Sequence, residues 1–372
     1  MATRSKTLGI LFCLTLALLL AGCEESQPVG PLSPAVLPPQ TRLTSMSFVD
    51  QDHGWVVGAD CPANAATPTA GPCRALIYAT SDGGLAWSPE GRVLLGPRKL
   101  QFTDANNGWL IGGIGQQCGA TACPNVVMQT TDGGRTWNRT LTTSVALVDE
   151  VFASPRDGWV LGEDCVNGSD CKAVLVTTAS GGETWSNQDL PLTGTDVRLD
   201  RLSPAVGWVG GIDQGQAVLL GTRDDGRHWS RIETPCRGTS LAFDFHSASD
   251  GWLACTGQPN VGAADSALFR TGDGGQTWQP LSQLPPNLST RLENGTIVTI
   301  AFSSLDDGWI VGGHGDVLAT RDGGKTWEQV LSAGGPLAAG LFVDATHGWA
   351  FGDQTVWRTI DAGKNWSKQS VR

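Results

Sequence analysis

Two short motifs alternate seven times along residues 45–372, at spacings of 40–57 residues. A chain that repeats itself on this scale must stack copies of one small unit that cannot bury its apolar face alone. The first motif is an aromatic residue, then Gly-Trp with Trp seven positions on. It occurs as Phe48…Gly54-Trp55, Phe102…Gly108-Trp109, Phe152…Gly158-Trp159, Phe245…Gly251-Trp252, Phe302…Gly308-Trp309 and Phe342…Gly348-Trp349. The fourth copy reads as Leu202…Gly207-Trp208, one residue shorter. The second motif is T-x-D-x-G-x-T-W, ending at Trp87, Trp137, Trp185, Trp229, Trp278, Trp327 and Trp366. Thr opens every copy, and Asp follows two residues later in six copies as Asp82, Asp132, Asp224, Asp273, Asp322 and Asp361, with Ser180 in the third. These motifs absorb fourteen of the 15 Trp and much of the excess of Gly, 49 residues in 372.

A D-G-G or D-x-G stretch between apolar runs reads as a hairpin turn. Glycine supplies positive φ and Asp bonds its own backbone. The runs before it, such as Ala75-Leu76-Ile77-Tyr78 and Ala173-Val174-Leu175-Val176, read as strands. Each repeat then holds four strands. Strand a ends at the aromatic residue, b starts at Gly-Trp, c precedes the second motif and d follows its Trp. The fold class predicted is all-β, a seven-bladed β-propeller of four-stranded antiparallel blades. The second motif resembles the Asp-box, or BNR, repeat found in such propellers. Ring closure is left open between face packing and an added strand from residues 24–45.

Residues 1–22 read as a lipoprotein signal peptide. Arg4 and Lys6 precede an apolar run from Leu8 to Leu20, and Leu20-Ala21-Gly22-Cys23 resembles the bacterial lipobox, in which the Cys carries the lipid. The run is too short to span ~30 Å of hydrocarbon at ~1.5 Å per residue. Residues 23–44, with Pro28, Pro31, Pro34, Pro38 and Pro39, read as a Pro-rich tether, leaving 45–372 for the propeller. The predicted location is extracytoplasmic, anchored to a bacterial membrane through Cys23. The net charge is −11, or −13 without the leader, which argues against a nucleic-acid binder relying on a basic surface.

Eight further cysteines fall into close pairs: Cys61 with Cys73, Cys118 with Cys123, Cys165 with Cys171, and Cys236 with Cys255. An even set of local pairs in an exported chain reads as disulfides. Zinc would need thiolates gathered from distant loops, and there is no CxxC or HxxxH.

The copies differ mainly between strands b and c. From first to second Trp the distance is 17 or 18 residues in blades 7 and 6 but 26 to 32 in blades 1, 2, 3 and 5. The connection from Trp278 to Phe302 is also long. In an up-and-down blade these segments emerge on one face, opposite the Asp-box turns. Function belongs where copies depart from the scaffold, so this face is the candidate partner-binding surface.

Enzyme readings fit poorly. Sialidases share the Asp box but use a tyrosine nucleophile, and the single Tyr78 occupies a strand position that other blades fill with apolar residues. Xyloglucanase-type glycosidases place acid and base carboxylates between two propellers. Here Asp50/Asp52, Asp306/Asp307 and Asp164 read as solvated turn residues. His53, His228, His246, His314 and His347 show no triad or metal spacing. No catalytic, cofactor-binding or metal-binding residue is assigned.

The alternation of D-G-W-x-V-G with T-x-D-G-G-x-T-W is most similar to the photosystem II assembly/stability factor family of propellers. That resemblance implies a non-enzymatic scaffold that binds protein partners, subunits of a membrane complex; a monomer is expected. A carbohydrate-binding or glycosidase-like propeller is the alternative.

Overall fold

A computed structural model describes residues 41–61, 73–114, 124–166, 170–236, 240–256, 267–281 and 297–371. These form seven antiparallel sheets of four strands, each ordered as in the sequence. In blade 1 strands a to d are Arg42–Phe48, Gly54–Asp60, Arg74–Thr80 and Ser88–Val93. Strand a thus takes in Arg42, Leu43 and Thr44, which the sequence had assigned to the tether. Leu43 is buried and pairs with Gly58.

The first motif has a steric cause. The Phe of strand a pairs directly with the Gly that opens strand b, as in Phe48 with Gly54 and Phe102 with Gly108. The Phe ring lies across that glycine, and a Cβ on Gly54 would sit 2.4 Å from it. The ring then faces the preceding blade and stacks on its first Trp. The pairs are Phe102 on Trp55 at 3.8 Å between centroids, Phe152 on Trp109 at 4.0 Å, Phe245 on Trp208 at 3.8 Å, Phe302 on Trp252 at 3.6 Å and Phe342 on Trp309 at 3.5 Å.

The second motif is a hydrogen-bonded knot. In blade 1, Thr80 Oγ1 donates to Asp82 Oδ1 at 2.8 Å and accepts the Gly84 N–H at 2.9 Å, while the Ala86 N–H donates to Asp82 Oδ1 at 2.9 Å. Ser180 replaces the carboxylate in blade 3 because its hydroxyl still accepts the Thr184 N–H at 2.9 Å. In each blade the knot is pinned to the a–b turn by one backbone bond, such as Gly83 N–H to Asp52 O at 2.8 Å and Gly133 N–H to Asn106 O at 2.9 Å.

The apolar core is divided. Seven buried clusters occupy the seven seams between blades, one in each. Burying one Trp in such a seam contributes roughly 4–6 kcal/mol gross. The ring closes by the same face packing. Phe48 stacks on Trp349 at 3.7 Å, the Trp349 indole donates to Gly83 O at 2.8 Å, and the Leu43 N–H donates to Asp353 O at 2.7 Å. Within the described residues no strand is exchanged between blades 7 and 1.

One seam departs from the pattern. In blade 4 strand a spans Thr195–Arg201, and Arg201, not Leu202, pairs with Gly207. Leu202 is left in the turn, exposed. The Arg201 guanidinium lies 4.1 Å from the centre of the Trp159 ring, where a phenyl ring sits in the other seams.

Candidate protein-binding face and inner wall

The connections between strands b and c, and those from strand d to the next blade, emerge on one face. Three of the expected bridges are present there. Cys61 is joined to Cys73 and Cys165 to Cys171, each across the neck of a b–c connection. Cys236, on the connection from blade 4 to blade 5, is joined to Cys255 at the end of blade 5 strand b (Gly251–Thr256). Cys236 O also accepts the Ala217 N–H of blade 4 at 3.3 Å, so this bridge ties two blades at their seam. Cys118, Cys123 and the lipobox Cys23 lie outside the described residues.

Glu163 stands on the same side of its strand as Cys165, whose cross-strand partner is Cys171. This is the one grouping of metal-ligating side chains among the described residues. Both sulfurs are committed to the bridge, and the Glu163 carboxyl, raised by burial, accepts the backbone N–H of Val197.

The residues weighed for catalysis fall into structural roles. Tyr78 is buried in the seam between blades 7 and 1, its hydroxyl pushed up by burial and then by the charge of Asp60. Asp50 lies in an a–b turn and accepts the backbone N–H groups of Asp52 and His53 at 2.8 and 2.6 Å. Asp344 does the same for Thr346 and His347, both at 2.7 Å. His228 pairs with the Asp-box residue Asp224. Asp52, Asp306, Asp164, His246 and His314 are exposed, and Asp307 accepts from the Ser304 hydroxyl at 3.0 Å.

Sequence reading missed the inner wall. The seven a strands pack side by side around the axis. In four blades the residue before the strand-ending ring or guanidinium reaches the next blade. Ser47 Oγ accepts the Phe102 N–H at 2.9 Å, Gln101 Oε1 the Phe152 N–H at 2.7 Å, Asp200 Oδ2 the Phe245 N–H at 2.8 Å and Asp244 Oδ2 the Phe302 N–H at 2.9 Å. Asp149 accepts the Leu199 N–H at 2.9 Å and pairs with Lys99. Arg198 donates from blade 4 to Val298 O of blade 6 at 3.2 Å. Burial pushes the Asp200 carboxyl up to about 6, and burial with the neighbouring Asp200 charge pushes Asp244 up to about 8. Glu150 is fully buried, neither oxygen has a partner among the described residues, and burial holds it well above the usual carboxylate range. The available signal was a carboxylate directly before the strand-ending aromatic, as in Asp244-Phe245.

The Asp-box face carries two features of its own. A cleft of 420 Å³ between blades 4 and 5 is lined by Trp208, Arg223, Asp224, His228, Arg231 and Gln276. Among the described residues, four of the five exposed large apolar side chains, Leu85, Leu202, Leu305 and Ile360, also lie in turns on this face, leaving Leu94 on the other.

The profile of the family described as "Photosynthesis system II assembly factor YCF48" matches residues 138–237 and 233–339. The chain is 27% identical over 205 residues to a Synechococcus sp. (strain CC9902) protein described as photosystem II assembly lipoprotein Ycf48; this covers 54% of each chain, about half the length of that relative. Among solved structures, "YCF48 bound to D1 peptide" superposes with a TM-score of 0.60 at 20% identity, over 90% of this chain and 99% of the other. YCF48 from Cyanidioschyzon merolae gives 0.60 at 18% identity, over 88% and 97%. A GH74 xyloglucanase from Xanthomonas campestris shares the fold at 0.52 and 13% identity, over 87% of this chain and 60% of the other.

Proposed function

The chain belongs to the photosynthesis system II assembly factor YCF48 family, and on that premise we propose that it is a non-catalytic scaffold that binds protein segments during assembly of a membrane complex. Its partner class is a peptide segment of a complex subunit, as the D1 peptide is for the solved relative. Cys23 carries a lipid and residues 23–41 hold the ring near the membrane, on the extracytoplasmic side, where the disulfides persist. The relative described as a lipoprotein supports this anchoring. The ring acts as a monomer.

The observation that carries the reading is one-sided elaboration. All three bridges fall on the face from which the b–c connections leave their strands, and those connections are longest in blades 1, 2, 3 and 5. Bridged necks limit the freedom that binding must freeze. The carboxylates gathered by the fold do not support glycosidase chemistry. They sit at blade seams, where Asp149, Asp200 and Asp244 hold backbone N–H groups of the next strand.

A second reading places the partner on the Asp-box face, supported by Leu85 and Ile360 in the neighbouring blades 1 and 7. Crosslinking of the membrane-associated protein to its captured partner decides between them. Crosslinks near Cys61, Cys165 and Cys236 support the loop face. Crosslinks confined to the turns holding Leu85, Leu202, Leu305 and Ile360 move the site to the other.

A further inference from the structure

We propose that Glu163, Cys165 and Cys171 form a zinc site that opens when a dithiol reduces the bridge between the two cysteines, so that the rim of blade 3 is closed either by a disulfide or by a metal ion. The geometry begins with the ladder. Cys165 on strand b (Gly158–Val166) and Cys171 on strand c (Asp170–Thr178) are direct cross-strand partners, and the pairing continues past them through Val166 and Asp170. Cys171 is also held on its other side, where its carbonyl accepts the Gly194 N–H at 3.0 Å. The backbone therefore keeps both sulfurs side by side without help from the bond between them.

That bond adds little as a staple. Its two cysteines are six residues apart, against 19 for Cys236–Cys255, and a short closed loop removes little freedom from an unfolded chain. Cys61–Cys73 lies beyond the last ladder pair of its hairpin, Asp60 with Arg74, so there the bond itself closes the neck. Among the described residues, only the blade 3 pair has a third metal-ligating side chain beside it. The ligand atoms of Glu163, Cys165 and Cys171 all lie within 4.8 Å of one another. Two thiolates, a carboxylate and a water make up a tetrahedral zinc shell.

Glu163 is already in place. It accepts the Val197 N–H of blade 4, and it faces Arg98 of blade 2 and Asp196 of blade 4. Burial leaves its charge poorly solvated, a cost that a divalent cation removes. Two thiolates and Glu163 carry three negative charges. Zinc cancels two of them, and Arg98 faces the third. Cys165 is half-buried and within reach of a small dithiol, whereas Cys236 and Cys255 are each 1% exposed. In the step itself the dithiol gives two electrons and two protons to the bridge and leaves as a disulfide. Zinc then displaces the two thiol protons.

The test treats the purified full-length protein with dithiothreitol under native conditions, removes the reductant anaerobically and titrates with Zn2+ against a chromophoric chelator. Alkylation and peptide mapping are expected to show Cys165–Cys171 open in the folded ring with Cys236–Cys255 intact. The reduced protein is expected to bind zinc that the untreated protein does not, and Co2+ in its place should give thiolate charge-transfer absorption. Glu163→Gln keeps an acceptor for Val197 and is expected to weaken that zinc by ~10-fold or more. Cys165→Ser with Cys171→Ser is expected to lose it. A bridge that opens only when the ring unfolds overturns the proposal. So does zinc binding that is absent from the reduced protein, or that is the same in wild type and either variant.

Discussion

Arg201 lies over Trp159, its guanidinium carbon 4.1 Å from the ring centre, and so takes the place of a phenyl ring in the seam between blades 3 and 4. Its charge is met from both sides. Asp157 of blade 3 accepts from Nη2 at 2.9 Å, and Asp225 of blade 4 lies at 3.3 Å. Asp225 stands at φ 63°, where most other Asp-box turns have glycine. The unusual Asp and the unusual Arg are therefore one substitution in two parts.

Arg201→Ala is expected to cost about 2–4 kcal/mol in urea denaturation, because it opens a cavity beside Trp159 and removes a buried cation from its partners. The double change Arg201→Phe with Asp225→Gly rebuilds the arrangement of the other seams and is expected to come within ~1 kcal/mol of wild type. A double variant as unstable as Arg201→Ala would show that this seam differs in more than these two residues.

Gly54→Ala and Gly108→Ala each place a methyl group within the Phe ring of the paired strand, at 2.4 and 2.6 Å. Each is expected to destabilise by ~1–3 kcal/mol through overpacking. Gly335→Ala, where an added Cβ meets nothing within 4 Å, is the control and should leave the melting temperature unchanged.

Stability should fall on both sides of a mildly acidic optimum. Side-chain and backbone donors of His228 hold Asp224 down to about 2, and Thr277 does the same for Asp273. A depressed carboxyl stabilises the fold above its unfolded value of ~3.9, and that help is lost as pH drops toward 2. Asp200 and Asp244 act in the opposite sense and weaken the fold as pH rises through about 6 and about 8. Melting temperatures from pH 2 to 9 should trace this dome. Asp273→Asn should soften the acid limb and leave the alkaline limb in place.

Peptide mapping without reductant should recover Cys61–Cys73, Cys165–Cys171 and Cys236–Cys255, with Cys118–Cys123 as a fourth pair. Replacing Cys236 and Cys255 together by Ser should cost ~2–4 kcal/mol, since that bridge joins two blades. Free thiols at either position in protein purified without reductant would refute the pairing.

Much of the fold was legible because its causes are local. The Thr–Asp–Gly knot, the Phe that crosses its glycine and the Trp that receives the Phe are all set by residues within eight positions or by an identical neighbour. The misassigned residue is instructive. Counting seven back from Trp208 reaches Arg201, but expecting an apolar residue favoured Leu202. The physical requirement at that position is a flat group to stack on indole, and a guanidinium meets it as a phenyl ring does. The inner-wall carboxyls were hidden for another reason. On a strand packed beside the next blade the inner-wall face is half-covered by its neighbour, so Asp200 and Asp244 look like solvent-facing alternation until the next strand is in place.

Closure by face packing alone gives the ring no first blade. The seam that joins Trp349 to Phe48 is built like the others, so the peptide link between any two blades is interchangeable with the gap between blades 7 and 1. A circular permutant opened between Leu281 and Ile297, with residues 42 and 371 bridged by a short linker, should form the same ring. Under the proposed lipid anchor, where the chain starts matters only for where the tether attaches, and moving it would turn a different sector of the ring toward the membrane.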